Sequence, residues 1–193
     1  MNNNINWFKK DILPFFKTVI DIECVDKLDN MGFFTAPASA KYHGAYRGGL
    51  FEHSYVVTKS LVDLTKHECL KWSRPESPYI VGMFHDLCKC DLYIPIRETP
   101  VVKHEGTVIT TTPITKGYRY NNECLLKGHG DKSVMLASTL LSLTEEEIMC
   151  IRYHMGAFTD KEEWNDYTRA IHRYPNVLWT HTADMVTSQI KGV

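Results

Sequence analysis

The sequence predicts an all-α protein, a bundle of helices interrupted by one small β-hairpin or irregular insert. Apolar residues recur three and four positions apart over most of the chain, which is the spacing of one helix face. Residues 93–126 depart from this spacing and carry short β-prone runs around Pro113 and Gly117. At 193 residues and with no internal repeat, the chain is predicted to form a single domain over residues 1–193, with the insert at about 93–127.

Composition excludes several classes of protein. The 22 basic and 23 acidic residues nearly cancel, which argues against a protein that coats polyanions. No apolar run approaches the roughly 20 residues of a membrane-spanning helix, and the first residues lack the pattern of a secretory signal. Six dispersed cysteines indicate reduced thiols, and the single Cys88-x-Cys90 pair is only a weak indication of a zinc site. We therefore expect a cytoplasmic protein with no membrane partner.

The N-terminal part is predicted to be helical. Residues 5–24 carry aromatic and aliphatic side chains at helical intervals, with Pro14 as a kink or a boundary. Residues 26–46 mix glycine, proline and serine, which indicates a loop or short helices. A long helix then begins at Gly48, and His53 lies on its apolar face. A lone inward histidine is more often a packed core residue than a metal ligand.

The helix predicted over residues 77–92 is apolar at most positions and is expected to be central and buried. His85 and Asp86 stand side by side within it. Burying two such groups costs several kcal/mol unless each finds a partner. A satisfied core histidine beside a surface aspartate would meet that requirement, and so would a shared divalent metal. On a helix, Lys89 would place its ammonium beside the same two groups.

The insert, over residues 93–126, is expected to form one wall of a pocket beside this helix. The Gly-His-Gly-Asp stretch around His129 then opens a helix predicted over residues 132–141, with Asp131 as a plausible N-cap. The free amides of that first turn, together with Lys132, would make a natural phosphate seat.

Three more helices are predicted towards the C-terminus. A capping box over 144–147 predicts the start of one that ends near His154. A polar, weakly amphipathic helix follows over residues 160–172. The last is predicted over residues 176–190, with Asp184 on its inward stripe.

The inward polar residues of five separate helical elements share the ability to bind a metal. Imidazole nitrogen and carboxylate oxygen both suit Mn, Fe, Co, Ni or Zn. Packing alone explains one buried histidine, but it does not explain metal-competent side chains on so many elements. The candidate ligands are His53, His85, Asp86, His129, His154 and Asp184.

The order of these residues resembles the HD-domain superfamily of metal-dependent phosphohydrolases. The resemblance covers about residues 42–190 and is carried by His53, the His85-Asp86 doublet with Lys89, and Asp184. His129 and His154 are similar to the extra histidines of members that hold two metals. Two segments also resemble the HD domains of bacterial 3′-to-5′ exoribonucleases. They are Tyr42-His43-x-Ala45-Tyr46-x-Gly48-Gly49-Leu50-x-x-His53 and Thr182-Ala183-Asp184. This chain differs from those exoribonucleases in lacking an oligonucleotide-binding barrel and in carrying Leu87-Cys88 where Ile-Gly is usual.

The resemblance implies a helical bundle around two divalent ions that Asp86 bridges. The implied further ligands are His53, His85 and Asp184 for one ion, and His129 and His154 for the other. A hydroxide held between the ions would cleave a phosphate ester or anhydride of a nucleotide-type substrate, with Asp86 and Lys89 as catalytic residues. Mostly imidazole ligation favours Mn, Fe, Co or Ni, with Mg and Zn as alternatives.

Residues near the predicted centre are candidate substrate contacts. Candidates for binding phosphate are Lys89, Arg47, Lys132 and Arg152, of which the last three would otherwise be solvated surface charges. Candidates for stacking on a base or covering the pocket are Tyr46, Tyr93 and His43, with ordinary packing as the alternative. His181, one turn before Asp184, is a candidate for orienting a ligand.

Three functions are compatible with these expectations. The leading one is hydrolysis of a small nucleotide. The second is a 3′-to-5′ exonuclease or phosphodiesterase acting on short nucleic acid or cyclic nucleotides. The third is a non-catalytic, metal-binding nucleotide sensor. The oligomeric state does not follow from the sequence.

Overall fold

The computed structural model describes residues 3–16, 20, 23–104, 107–110 and 112–193, with side chains at all of these except 101–104 and 107–110. It is mostly helical with a small β ribbon, which confirms the predicted all-α fold class with a hairpin insert. The α-helices are α1 (Asn3–Trp7), α2 (Glu23–Met31), α3 (Gly49–His67), α4 (Ser77–Phe84), α5 (Gly130–Ser138), α6 (Glu145–Arg152), α7 (Trp164–Arg173) and α8 (Asn176–Met185). The strands are β1 (Tyr93–Glu98), β2 (Val101–His104), β3 (Thr107–Thr110) and β4 (Ile114–Tyr120). Within the described residues, no helix is both long and apolar enough to cross a membrane.

The helix predicted over residues 5–24 is broken into shorter pieces. A π-helical segment, Phe8–Ile12, and a 3₁₀ segment, Leu13–Phe16, follow α1, and α2 begins only at Glu23. Pro14 lies in the 3₁₀ segment, as expected for a residue that cannot donate the helical hydrogen bond. Residues 17–19 and 21–22 of the predicted helix lie outside the described residues.

The longest helix, α3, packs against α4 and α8 and carries the core of the protein. Leu50, Val57 and Leu61 are fully buried on its inner face, in the spacing that the sequence predicts. Aromatic rings from several segments fill the space beside this face: Phe8, Phe16, Phe33, Phe34, Phe51 and Phe84. His53 lies on the same buried face of α3, between Leu50 and Val57, so packing of the core fixes its position.

Two glycines allow helix backbones to approach each other very closely. A Cβ added to Gly82 of α4 would lie 2.6 Å from the Cα of Thr58 on α3. A Cβ added to Gly130 of α5 would lie 1.9 Å from the carbonyl oxygen of Arg152 on α6. Neither distance is compatible with a side chain, so only glycine permits these two helix pairs.

The insert is a long antiparallel ribbon. Strand β1 pairs with β4, and β2 pairs with β3 further along the same excursion. The register between β1 and β4 shifts at Ile96 and Arg97. Because Tyr93 begins β1 three residues after a 3₁₀ segment, Leu87–Cys90, the root of the ribbon lies beside the His-Asp doublet.

Candidate metal centre

His85 and Asp86 face one centre because α4 ends there, and not at residue 92 as the sequence predicts. His85 is the C-cap of α4, and Asp86 leaves the helix with φ −109° and ψ 19°. Successive helical side chains point about 100° apart, so two neighbours on an unbroken helix would diverge. The 3₁₀ segment that follows brings Lys89 over Asp86, with Nζ 2.6 Å from Oδ2.

A first group of ligand atoms forms where α3, α4 and α8 meet. The Nε2 atoms of His53 and His85 are 3.3 Å apart. Asp86 Oδ2 lies 3.5 Å from the first of these nitrogens and 3.4 Å from the second. Asp184 contributes Oδ1, 3.1 Å from His53 Nε2 and 4.0 Å from His85 Nε2. The two histidines and Asp86 are buried and are arranged so that they could hold a metal ion.

A second group forms around the other oxygen of Asp86. His129, at the start of α5, places Nε2 2.8 Å from Asp86 Oδ1. His154, just after α6, places Nε2 3.5 Å from the same oxygen. These three residues also could hold a metal ion. The close contact at Gly130 holds α5 and α6 together, and the contact at Gly82 does the same for α3 and α4.

Backbone carbonyls orient three of the histidines. The Nδ1 atoms of His53, His85 and His154 lie 2.8, 2.9 and 2.7 Å from the carbonyl oxygens of Val193, Gly82 and Ile151. A carbonyl can only accept, so each Nδ1 carries the proton and the neutral ring presents a lone pair at Nε2. Histidines that bind metals are commonly held in this way.

This arrangement satisfies the chemistry of a cation site. The Nε2 lone pairs of His53 and His85 face each other at 3.3 Å, which is repulsive unless a cation or a proton lies between them. The buried Nε2 of His154 has no hydrogen-bond partner among the described residues. Such a nitrogen costs free energy unless something binds it. Lys89 neutralises the charge of Asp86 but does not bind the Nε2 atoms of His53, His85 and His154, which a cation could bind.

The charges within the cluster support one another. Burial opposes ionisation of Asp86, but the ammonium of Lys89 holds the pKa of this carboxyl well below its usual range. The pKa of Asp184 is also lowered despite burial, chiefly by the adjacent imidazole of His53, whose Nε2 lies 3.1 Å from Oδ1. Burial disfavours the charged form of Lys89, but Asp86 raises the pKa of its ammonium. Both carboxylates are therefore ionised and the lysine is charged at neutral pH.

A cavity of about 470 Å³ opens onto the cluster. Asp86, Lys89, His129 and Asp184 form its polar floor. Its other lining side chains include Tyr42, His43, Tyr93, Met155, Phe158, His181 and Met185. Burial lowers the pKa of His43, and repulsion from the charge of Lys89 lowers it further. His181 hydrogen-bonds through Nδ1 to the carbonyl of His154 at 2.8 Å, so it contacts the segment that carries a ligand.

Other residues proposed from the sequence lie outside this cavity. Tyr46 and Arg47 line a neighbouring groove. The ammonium of Lys132 is buried and pairs with Asp91. Lys132 also lines a second cavity together with His129, and its role in binding phosphate stays a prediction.

Arg152 also lies outside the cavity, where it binds Asp131 at 2.6 Å and Glu163 at 3.3 Å. The prediction that Asp131 caps α5 is wrong. The helix begins earlier, at Gly130, with His129 as its N-cap, and the Asp131 carboxylate turns to Arg152 instead.

The nearby cysteines are thiols. All six cysteines of the chain are unbridged, as the sequence indicates. Burial raises the pKa of Cys88 to about 12, so its thiol stays protonated beside the cluster. A protonated thiol is a poor metal ligand.

Some lining residues were not identified from the sequence. Met155 and Phe158 follow His154 in a short turn, and Phe158 remains largely exposed beside the cavity. An exposed aromatic residue four positions after a candidate ligand was the available signal for Phe158. The carbonyl partners of the histidines leave no signal, because every residue has a carbonyl group.

The cluster combines two metal-competent groups that share one carboxylate and an adjoining cavity with apolar walls. It could hold a cation, and the adjoining cavity is within the size range of small-molecule sites. The chain matches no protein-family model, no curated protein and no solved structure among those compared with it.

Proposed function

We propose that this chain is a metal-dependent phosphohydrolase of the HD-domain type, which cleaves a phosphate ester or anhydride of a nucleotide. The observation that carries the proposal is that the two carboxylate oxygens of Asp86 face different pairs of histidines. One of its oxygens faces His53 and His85, and the other faces His129 and His154. A carboxylate placed in this way suits two divalent ions better than one.

The proposed ligands are His53, His85, Asp86 and Asp184 for one ion, and Asp86, His129 and His154 for the other. When bound, such a pair of ions acidifies water and neutralises the charge that develops on phosphoryl oxygens. Nitrogen-rich ligation favours Mn, Fe, Co or Ni over Mg, which prefers oxygen ligands.

The remaining residues of the cavity would bind and orient the substrate. Lys89 is charged and lines the cavity, so it can contact a phosphate oxygen while it holds Asp86. His43 can donate a hydrogen bond from its neutral ring. The rings of Tyr42, Tyr93 and Phe158 offer surfaces for a base. This apolar wall supports a nucleotide over inorganic phosphate as the substrate.

Metal content and hydrolysis, measured together, test the proposal. The protein is loaded with Mn, Co, Ni or Mg, and turnover is measured on an aryl phosphate and a panel of nucleotides. We expect two ions per chain and hydrolysis that depends on them. The Asp86→Asn variant keeps the side-chain shape but removes the charge, so it should lose both the bound ions and the hydrolysis. Asp166→Asn, at an exposed aspartate of α7, is the matched control and should lose neither.

Two outcomes would contradict the proposal. Full turnover by the Asp86→Asn variant would show that the cluster is not the reaction centre. Two bound ions with no hydrolysis of any phosphate ester would indicate the non-catalytic metal-binding sensor instead.

A further inference from the structure

Alternate residues of β1 face a groove beside the metal cavity. Tyr93, Pro95 and Arg97 are at positions i, i+2 and i+4 of one strand and therefore share a face. All three line a groove of about 450 Å³, whose other wall is the segment containing Tyr46 and Arg47. Tyr93 also lines the metal cavity. The groove and the cavity therefore meet at this side chain.

The groove is positively charged. Arg47, Arg97 and Lys116 line it, and no carboxylate is among its described lining residues. Lys116 pairs with Glu98 at 3.0 Å, whereas no ion pair with a carboxylate is described for either arginine in the part of the chain with described side chains. An anionic ligand would therefore complement this surface.

Aromatic rings lie between these cations. Tyr118 of β4 is paired with Pro95 in the ribbon, and it lines the groove with Tyr93 and Tyr46. Burial raises the pKa of the Tyr118 phenol, and the charge of Arg47 opposes that rise, which places a guanidinium near the ring. A groove that combines cations with aromatic faces is the usual platform for single-stranded nucleic acid.

The length of the groove separates two kinds of ligand. The four residue-to-residue steps of an extended strand from Tyr93 to Arg97 span about 13 Å. A phosphate at the metal cluster cannot also contact Arg97 over that distance. A ligand that uses both places needs phosphates at intervals, with bases between them for the tyrosines. This matches a nucleotide chain better than a single nucleotide.

Building on the proposed function, we propose that the substrate is a single-stranded oligonucleotide whose nucleotides next to the scissile phosphate lie in this groove. In the reaction, the oxygen of water bonds to phosphorus and the P–O bond to the neighbouring sugar breaks. The leaving oxygen takes up a proton from the attacking water. Arg47 and Arg97 would bind the flanking phosphates, and Tyr118 would stack on a base.

Equilibrium binding tests the groove independently of turnover. A fluorescein-labelled single-stranded hexanucleotide, as RNA and as DNA, is titrated with the wild-type protein in EDTA, and anisotropy is recorded at several salt concentrations. We expect the hexanucleotide to bind at least 10-fold more tightly than a mononucleotide. Loss of two phosphate contacts in the double variant Arg47→Ala/Arg97→Ala should reduce the log–log salt slope by about 1.4.

Matched variants separate stacking from general charge. Tyr118→Ala should weaken binding about 5- to 150-fold, while Tyr118→Phe, which keeps the ring, should bind almost as wild type does. Arg169→Ala, at an exposed arginine of α7 away from the groove, removes one arginine charge and should have little effect. The inference fails if Arg169→Ala weakens binding as much as the groove variants do, or if Tyr118→Ala has no effect.

Turnover then distinguishes this inference from the proposed function. If the protein hydrolyses aryl phosphate or a mononucleotide but does not bind the oligonucleotide more tightly, the groove is not an oligonucleotide site, although the proposed hydrolase activity stands. A dinucleoside polyphosphate that competes as well as the hexanucleotide would also overturn it. If the protein binds the oligonucleotide but hydrolyses no phosphate ester, the proposed hydrolase activity is refuted, and so is the proposal that the groove binds a substrate.

Discussion

The contact between α5 and α6 gives a direct way to disturb half of the metal centre. A methyl group at Gly130 would lie 1.9 Å from the carbonyl oxygen of Arg152, where ordinary contact begins at 3.4 Å. In Gly130→Ala the two backbones must therefore separate by about 1.5 Å. His129 and His154 flank this contact, so the distance between their ligand nitrogens should change.

The size of the effect follows from what is known of overpacked cores and of metal–ligand geometry. Forcing an extra carbon into a packed contact costs about 1–3 kcal/mol of unfolding free energy. In a protein of this size, that lowers the melting temperature by roughly 2–4 °C for each kcal/mol. Metal–ligand distances tolerate only about 0.2 Å. We therefore expect Gly130→Ala to lower the metal affinity of one of the two proposed binding steps by about 10- to 100-fold, as the loss of an orienting contact does.

Isothermal titration with Mn or Co, combined with elemental analysis, measures both metal-binding steps. Gly117→Ala is the matched control, because a Cβ there meets nothing within 4 Å, and it should titrate as wild type does. Gly82→Ala should instead affect the step that depends on His53 and His85. If Gly130→Ala melts at a lower temperature but binds both ions with wild-type affinity, the helix contact does not set the ligand geometry and the reasoning is refuted.

Three further predictions concern charged groups. Lys89→Met should reduce turnover more than it reduces metal binding, because Lys89 contacts Asp86 and lines the cavity; equal losses would show that its role is structural. In EDTA, the lowered folded-state pKa of Asp86 contributes stability that is present above about pH 4 and is lost as the pH falls through that pKa. The free energy of unfolding of Asp86→Asn should therefore fall less on acidification than that of the wild type. An equal fall in both proteins would contradict this. Glu147→Gln should cost on the order of 3 kcal/mol in chemical denaturation, because the buried carboxylate binds Arg74 and caps α6, while metal stoichiometry stays the same; a loss below 1 kcal/mol would contradict this.

Local signals in the sequence account for much of the fold. The capping box at Thr144 and Glu147 is present, with both of its hydrogen bonds. The inward face of α3 follows its apolar spacing, and His53 lies on that face because it shares the spacing. These features depend on residues three or four positions apart, so a single sequence contains all the information they need.

The predictions that were wrong depend on contacts between distant parts of the chain. The end of α4 at Phe84 is set where His85 and Asp86 turn towards a shared centre. Asp131 fails to cap α5 because Arg152, 21 positions away, binds its carboxylate. Pairings of this kind have no periodic signature, so the sequence could not show that Lys132 and Arg152 each pair with an aspartate.

The chain divides two requirements of the buried cluster between different residues. A buried carboxylate is costly unless it is paired, and Lys89 at 2.6 Å and His129 at 2.8 Å meet that need for Asp86 within the protein itself. The imidazoles of His53, His85 and His154 are instead oriented by carbonyls, which leaves their Nε2 lone pairs directed at the centre. Burial of the Asp86 carboxylate therefore rests mainly on the ion pair with Lys89, and cation binding would rest mainly on the three oriented rings. Substitutions at the rings should for this reason affect metal affinity more than stability, whereas substitutions at Asp86 should affect both.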